Sequence, residues 1–182
     1  MNKFPVVVLI VLLFFSYLYS LDLKYIKEKA KEGSSKYQII LGIYYYRGEN
    51  VKKNPKKAFK WFMKAANQNI PEAQFYIGSM YRYGYGIKKN LKKSVEWLKK
   101  SADKDYARAQ YILAGMYYIG LGEKKNNIMA YYYYKLAEYN KIKDATLMIT
   151  EIKETMTQTE INNGKDMFRN WTQKNQKKDI SK

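Results

Sequence analysis

The chain has 182 residues, with 34 Lys or Arg against 16 Asp or Glu and a formal net charge of +18. It contains no Cys and no His, which excludes disulfides and thiolate metal sites and removes the commonest general base near neutral pH. Twenty tyrosines dominate an aromatic share of 16%, a composition suited to helix faces that bury a ring and keep its hydroxyl wet.

Lys3 precedes an uncharged, apolar run from Phe4 to Phe15; Ser16-Tyr17-Leu18-Tyr19-Ser20 follow, and charge begins at Asp22. A basic start, a short apolar stretch and a small residue beyond it form an export signal. Residues 1–20 are read as a signal peptide cleaved after Ser20, which predicts a periplasmic or secreted protein. An uncleaved inner-membrane anchor over residues 4–21 is the alternative, because ~17–25 apolar residues span a bilayer.

Beyond the signal the chain repeats itself every 36 residues. Trp61, Trp97 and Tyr133 keep that spacing, as do Gly48, Gly84 and Gly120, Tyr45, Tyr81 and Tyr117, and Asn54, Asn90 and Asn126. A fixed period of this size marks stacked supersecondary units. In the middle copy Ala73, Ile77, Met80 and Tyr81 form one helical stripe, ended by Gly84-Tyr85-Gly86, where glycine supplies a positive φ. Asn90 is a good N-cap for a second helix, and in the first copy Asn54 is followed by Pro55, the preferred first helical residue. The second helices are expected to bury Ala58, Trp61, Phe62 and Ala65, then Ser94, Trp97, Leu98 and Ser101, then Ala130, Tyr133, Tyr134 and Ala137.

These readings divide the chain into a leading half-repeat helix (21–36), repeats over 37–72, 73–108 and 109–144, and a trailing half-repeat with a C-terminal capping helix (145–173). A polar, unstructured tail is predicted over 174–182. Thr157 and Glu160 fit a capping box that opens the last helix, and Ile161, Met167, Phe168 and Trp171 supply its apolar face. The fold class is all-α, an α-solenoid of antiparallel helix pairs.

The segments Leu41-Gly42…Tyr45…Gly48, Ile77-Gly78…Tyr81…Gly84-Tyr85-Gly86 and Met116-Tyr117…Gly120-Leu121-Gly122 resemble the Sel1-like repeat. So do Ala58…Trp61…Ala65-Ala66 and Trp97…Ser101-Ala102 after them. The third copy departs from the pattern: Leu113-Ala114-Gly115 shifts the glycine by one, and Glu138 replaces the second alanine. The resemblance implies a right-handed superhelix related to the tetratricopeptide family, acting as an adaptor or scaffold and often exported. Some cysteine-rich relatives are linked to β-lactam or peptidoglycan-precursor binding with weak β-lactamase activity and carry disulfides within each repeat, which this chain lacks.

In this type of solenoid the first helices line the concave face, where residues are free to differ between copies. That points to Ile40, Ile43 and Arg47, then Tyr76, Ser79 and Tyr83, then Arg108, Ile112 and Ile119, at the 4, 3 and 4 spacing of one helical face. Lys36, Glu72 and Gly115 complete the three sets. The expected partner is a protein or peptide ligand on an apolar and aromatic groove with basic ends. A second periodic feature is lysine. Lys52 and Lys53, Lys88 and Lys89, and Lys124 and Lys125 recur between the helices, while Lys56, Lys57, Lys92 and Lys93 open two second helices. Such a ridge would face an anionic envelope or membrane surface; export argues against nucleic acid as the partner. Ser101-Ala102-Asp103-Lys104 matches the S-x-x-K string of penicillin-recognising enzymes without its companion motifs, and Ser101 falls at a small core position. The chain is read as a non-enzyme that needs no cofactor and no metal, with a hydrolase of the β-lactamase or peptidoglycan-binding type as the alternative.

Overall fold

The structure, a computed structural model, describes Val8 and residues 22–180. The predicted export signal therefore lies outside the described residues, apart from Val8. The described chain is helical throughout: α1 over residues 22–31, α2 Ser35–Arg47, α3 Pro55–Asn67, α4 Pro71–Tyr83, α5 Leu91–Ala102, α6 Ala107–Ile119, α7 Asn127–Tyr139, α8 Asp144–Glu154 and α9 Gln158–Ile180. None of these helices is long and apolar enough to cross a membrane. The chain divides into two compact units, residues up to Gln68 and residues from Asn69 onward.

The same local chemistry builds each helix pair. The first helix ends on a left-handed glycine, Gly48, Gly84 or Gly120, at φ of 83°, 70° and 74°. Each glycine N–H donates to the carbonyl four residues back, so the last turn closes on itself. The second helix starts at an asparagine whose side chain accepts from the backbone N–H three residues on: Asn54 from Lys57, Asn90 from Lys93 and Asn126 from Met129. The backbone N–H of the same asparagine donates to the tyrosine carbonyl near the end of the first helix, Tyr45, Tyr81 or Tyr117, at 2.8–2.9 Å. The periodic Tyr and Asn are thus two ends of one clasp that turns the chain back.

In the first unit Ala30, Ile39, Leu41, Ala58 and Phe62 are buried. In the second the core runs from Val95 and Leu98 through Leu113, Met116, Tyr133 and Leu136 to Ile149, Ile152 and Ile161. Ala73, Ala109 and Ala145, at the start of successive first helices, are fully buried, so a Cβ is the largest group tolerated there.

Two sequence expectations need correction. Trp61 and Trp97 are half-buried, unlike Tyr133. Each ring carries the ammonium of a lysine one turn on, Lys64 at 4.5 Å and Lys100 at 4.3 Å from the ring centre. A large indole fills the flank of the helix pair, and the cation uses the face left open. The tail from Lys174 is also not unstructured, because α9 continues to Ile180. Its start is the expected capping box: Thr157 N–H donates to Glu160 Oε2 at 2.8 Å, and Glu160 N–H donates to Thr157 Oγ1 at 3.3 Å.

One periodic residue escaped the sequence reading. Gln38, Gln74 and Gln110 lie 36 apart and are all buried. Gln38 donates to the Ala30 carbonyl at 3.1 Å and accepts from Gln68 at 2.9 Å. Gln110 repeats the arrangement, donating to Ala102 at 3.2 Å and accepting from Asn140 at 2.9 Å. The amide adds a second donor to a carbonyl at the C-terminal end of the preceding second helix, beside the backbone N–H of Gly33 or Asp105. The signal was present in the spacing but hidden by the expectation that buried repeat positions are apolar.

Candidate partner-binding face

The residues expected to vary between copies sit on the open side of the first helices. In the first unit Ile40 and Ile43 are half-buried and Arg47 is exposed, its guanidinium 3.4 Å from the Glu49 carboxylate. In the second unit Tyr76, Ser79 and Ile112 are half-buried, while Tyr83, Arg108 and Ile119 are exposed. None of the nine is fully buried, although Ile112 packs against the core of the second unit. The two sets belong to different compact units, and the second set is the one whose geometry can be built up further.

At the C-terminal ends of α4 and α6 the face presents large apolar groups to water: Tyr83 is 67% exposed and Ile119 is 57% exposed. The Arg82 guanidinium lies 5.2 Å from the Tyr83 ring centre. At the N-terminal ends Glu72 and Arg108 line one cleft of about 500 Å3 together with Asp105, Tyr106 and Ile142. Burial pushes the Tyr106 phenol up, and the neighbouring Glu72 carboxylate adds to that. Tyr106 packs against Phe75 at 5.3 Å between ring centres, and Phe75 meets Tyr76 edge-on at 5.6 Å. The face therefore grades from a charged cleft, through a half-buried aromatic middle, to exposed apolar side chains. Such a surface can hold an extended or helical segment by apolar anchors and orient it by charge.

The lysine ridge is exposed at all ten predicted positions. Part of it is engaged on tyrosine rings: Lys57 lies 5.3 Å from the Tyr45 ring centre, Lys93 lies 5.6 Å from Tyr81, and Lys125 lies 5.3 Å from Tyr118. None of α3, α5 and α7 has an acidic residue in its first turn, so their N-terminal partial charges and the nearby lysines share one sign.

The S-x-x-K string is structural. Ser101 is buried and its hydroxyl donates to the Pro71 carbonyl at 2.7 Å. The Lys104 ammonium donates to the Asn69 carbonyl at 2.7 Å. Both groups tie α5 and its C-terminal turn to the backbone at the start of α4. Among the described residues no cluster of acidic side chains could hold a metal ion.

The Sel1 repeat family profile matches residues 35–70, 71–106 and 107–140, so each matched copy begins with a first helix or just before its first turn. The sel1-like repeat-containing protein L18 of Acanthamoeba polyphaga mimivirus is 52% identical over 44 residues, which is 24% of this chain and 8% of that protein. The chain thus spans a small part of that relative's length. Among solved structures, a Sel1 repeat protein from Oxalobacter formigenes superposes with a TM-score of 0.66 at 29% identity, over 71% of this chain and 98% of that one. A protective antigen of uropathogenic Escherichia coli with an SLR fold gives 0.64 at 23% identity, over 83% of this chain and 40% of that one. Cysteine rich protein B of Helicobacter pylori gives 0.57 at 22% identity, over 71% and 93%. The last two are likenesses of fold alone. With three family copies covering more than half of the chain and an all-helical fold shared with solved members, this protein belongs to the Sel1 repeat family of α-solenoids, whose members generally serve as protein-interaction scaffolds.

Proposed function

We propose that the chain is an exported adaptor that captures a protein or peptide on the first-helix face of its second unit. The observation carrying this reading is the pair Tyr83 and Ile119, large apolar side chains 67% and 57% exposed at equivalent positions of successive copies. Leaving two such groups in water costs hydrophobic free energy that a partner recovers by covering them. The polar and charged end at Glu72 and Arg108 supplies orientation, and the half-buried Tyr76 supplies a rigid anchor between the two ends. Export rests on Lys3 and the apolar run from Phe4 to Phe15.

The test is affinity capture from producing cells with the wild-type chain and with Tyr76→Ala/Tyr83→Ala. The double variant is expected to lose the co-purifying partner while its helical circular dichroism is retained, since neither ring belongs to the core. Undiminished capture would place the partner elsewhere. The intact mass of the recovered protein reports export separately: a chain beginning at Leu21 in the exported fraction supports it, and a full-length chain confined to the cytoplasm refutes it.

A further inference from the structure

The first unit contains a cleft of about 540 Å3 where α1, the α2–α3 loop and the start of α3 meet. Lys27 reaches it from α1, Tyr45 from α2, Asn50, Lys52 and Lys53 from the loop, and Lys57 from α3. No carboxylate lines it. Glu49, in the same loop, is bridged to Arg47 instead. Four cations around one concavity raise one another's energy, and the start of α3, with no acidic residue in its first turn, adds positive potential of the same sign. The volume falls within the ~300–1,000 Å3 typical of small-ligand pockets.

The third copy supplies an internal comparison. Its corresponding positions carry Lys99, Tyr117, Gly122, Lys124, Lys125 and Met129, with Glu123 where the first copy has Val51. There one lysine gives way to Met129 and Glu123 adds a carboxylate, leaving three lysines against one acid. The backbone at the equivalent loop position is left-handed in both copies. Asn50 holds φ at 63° with a full side chain, where the third copy has Gly122. The loop of Gly122 lies so close to α5 that a Cβ there would stand 2.4 Å from the Leu91 carbonyl oxygen. Of these two copies, only the first lines this position with four lysines and no carboxylate.

We propose that this cleft binds a multiply charged phosphate group. Lysine ammoniums act as point charges suited to phosphate oxygens, and four of them exceed what a single carboxylate would neutralise. The Asn50 side chain and the Tyr45 hydroxyl are the uncharged hydrogen-bonding groups beside them. The phosphate can come from a soluble phosphate compound or from the headgroup of a phosphatidic acid lipid. None of these residues lies on the partner face of the second unit, so this inference stands or falls apart from the adaptor reading.

Two pairs of substitutions with the same charge change separate a site from a diffuse basic surface. Lys27→Gln/Lys52→Gln removes two cations from the cleft. Lys88→Gln/Lys89→Gln removes two exposed lysines from the loop of the second copy. Thermal melts of both variants check folding. Inorganic pyrophosphate is titrated into the full chain by calorimetry, and vesicles with and without phosphatidic acid are tested by sedimentation. The cleft variant is expected to bind about tenfold more weakly than wild type, the scale of losing a charge-assisted contact, with the loop variant unchanged. A cleft-dependent effect with pyrophosphate assigns a soluble source, and one seen with vesicles alone assigns the lipid headgroup. Equal weakening by both pairs, or no binding in either arm, overturns the proposal.

Discussion

At positions 42 and 78 the first helix carries glycine in mid-helix, where alanine would favour the helix by ~1 kcal/mol. The reason lies in the second helix of the same pair. A Cβ on Gly42 would stand 2.6 Å from Phe62 Cε1, and one on Gly78 would stand 2.7 Å from Leu98 Cγ and 3.1 Å from the Leu98 backbone nitrogen. Both neighbours are fully buried and have little room to yield. The third copy has Ala114 at this position and moves its glycine to 115, where the nearest atom to an added Cβ is the Tyr134 hydroxyl at 3.4 Å. The one-residue shift seen in the sequence is therefore a change in where the helices approach. Gly42→Ala and Gly78→Ala are each expected to lower unfolding free energy by about 1–3 kcal/mol, the cost of overpacking a close-packed core. Gly115→Ala is expected to be neutral or to stabilise by up to ~1 kcal/mol through helix propensity. Chemical denaturation of the three variants checks this, and a Gly115→Ala variant as unstable as Gly78→Ala would contradict it.

Among the elements, α7 concentrates chemistry that the sequence showed only as aromatic bulk. Tyr131, Tyr133 and Tyr134 are buried in one helix. Burial pushes the Tyr133 phenol far above its ordinary value, helped by the Asp103 carboxylate, to which its hydroxyl donates at 3.4 Å. Burial also raises the Tyr134 phenol, beside the Tyr111 ring, and the Tyr131 phenol. A phenol whose folded-state pKa lies above the unfolded value of 10.0 keeps its full contribution to stability below that value. Above it the unfolded chain releases protons that the folded chain retains, so stability falls as pH rises. The melting temperature is expected to hold up to about pH 9 and to drop steeply by about pH 12, with unfolding and tyrosinate absorbance appearing together. Tyr134→Phe should flatten the drop, and an unaltered alkaline profile in that variant would show that this phenol does not carry it. The third-copy period was legible here, because it requires each second helix to be buried along the same stripe. What the period could not show is that α9 closes over this helix. Tyr139 meets Trp171 at 5.3 Å and Phe168 at 6.2 Å between ring centres. Gly164 lets Tyr131 approach so closely that a Cβ would stand 2.6 Å from its ring. That packing sets a helix outside the repeat against one inside it, so no spacing announces it.

For the molecule as a whole, the period revealed the fold because every copy solves one packing problem, and repeated solutions show in one chain. Trp61 and Trp97 repeat for the same reason, yet their faces are left to Lys64 and Lys100, a division of the ring between core and cation that composition alone does not predict. Tyr83 and Ile119 follow a different rule: the fold leaves them exposed, and that exposure is what the proposed partner face rests on. The net charge of +18 belongs to this scale as well. The five ion pairs found among the described residues are all solvent-accessible and link neighbours close in sequence, so each offsets little of the excess. The remaining lysines repel one another across the folded surface more than in the expanded unfolded chain. Added salt shortens the reach of that repulsion from ~30 Å at 0.01 M to ~8 Å at 0.15 M. Sodium chloride over this range is therefore expected to raise the melting temperature by about 2–4 °C, the shift that ~1 kcal/mol produces in a chain of this size. Scanning calorimetry at fixed pH measures it. A melting temperature that falls with salt would mean that paired charges and ring-bound lysines outweigh the net repulsion, and the basic surface would then be a stabilising network instead of an unneutralised excess.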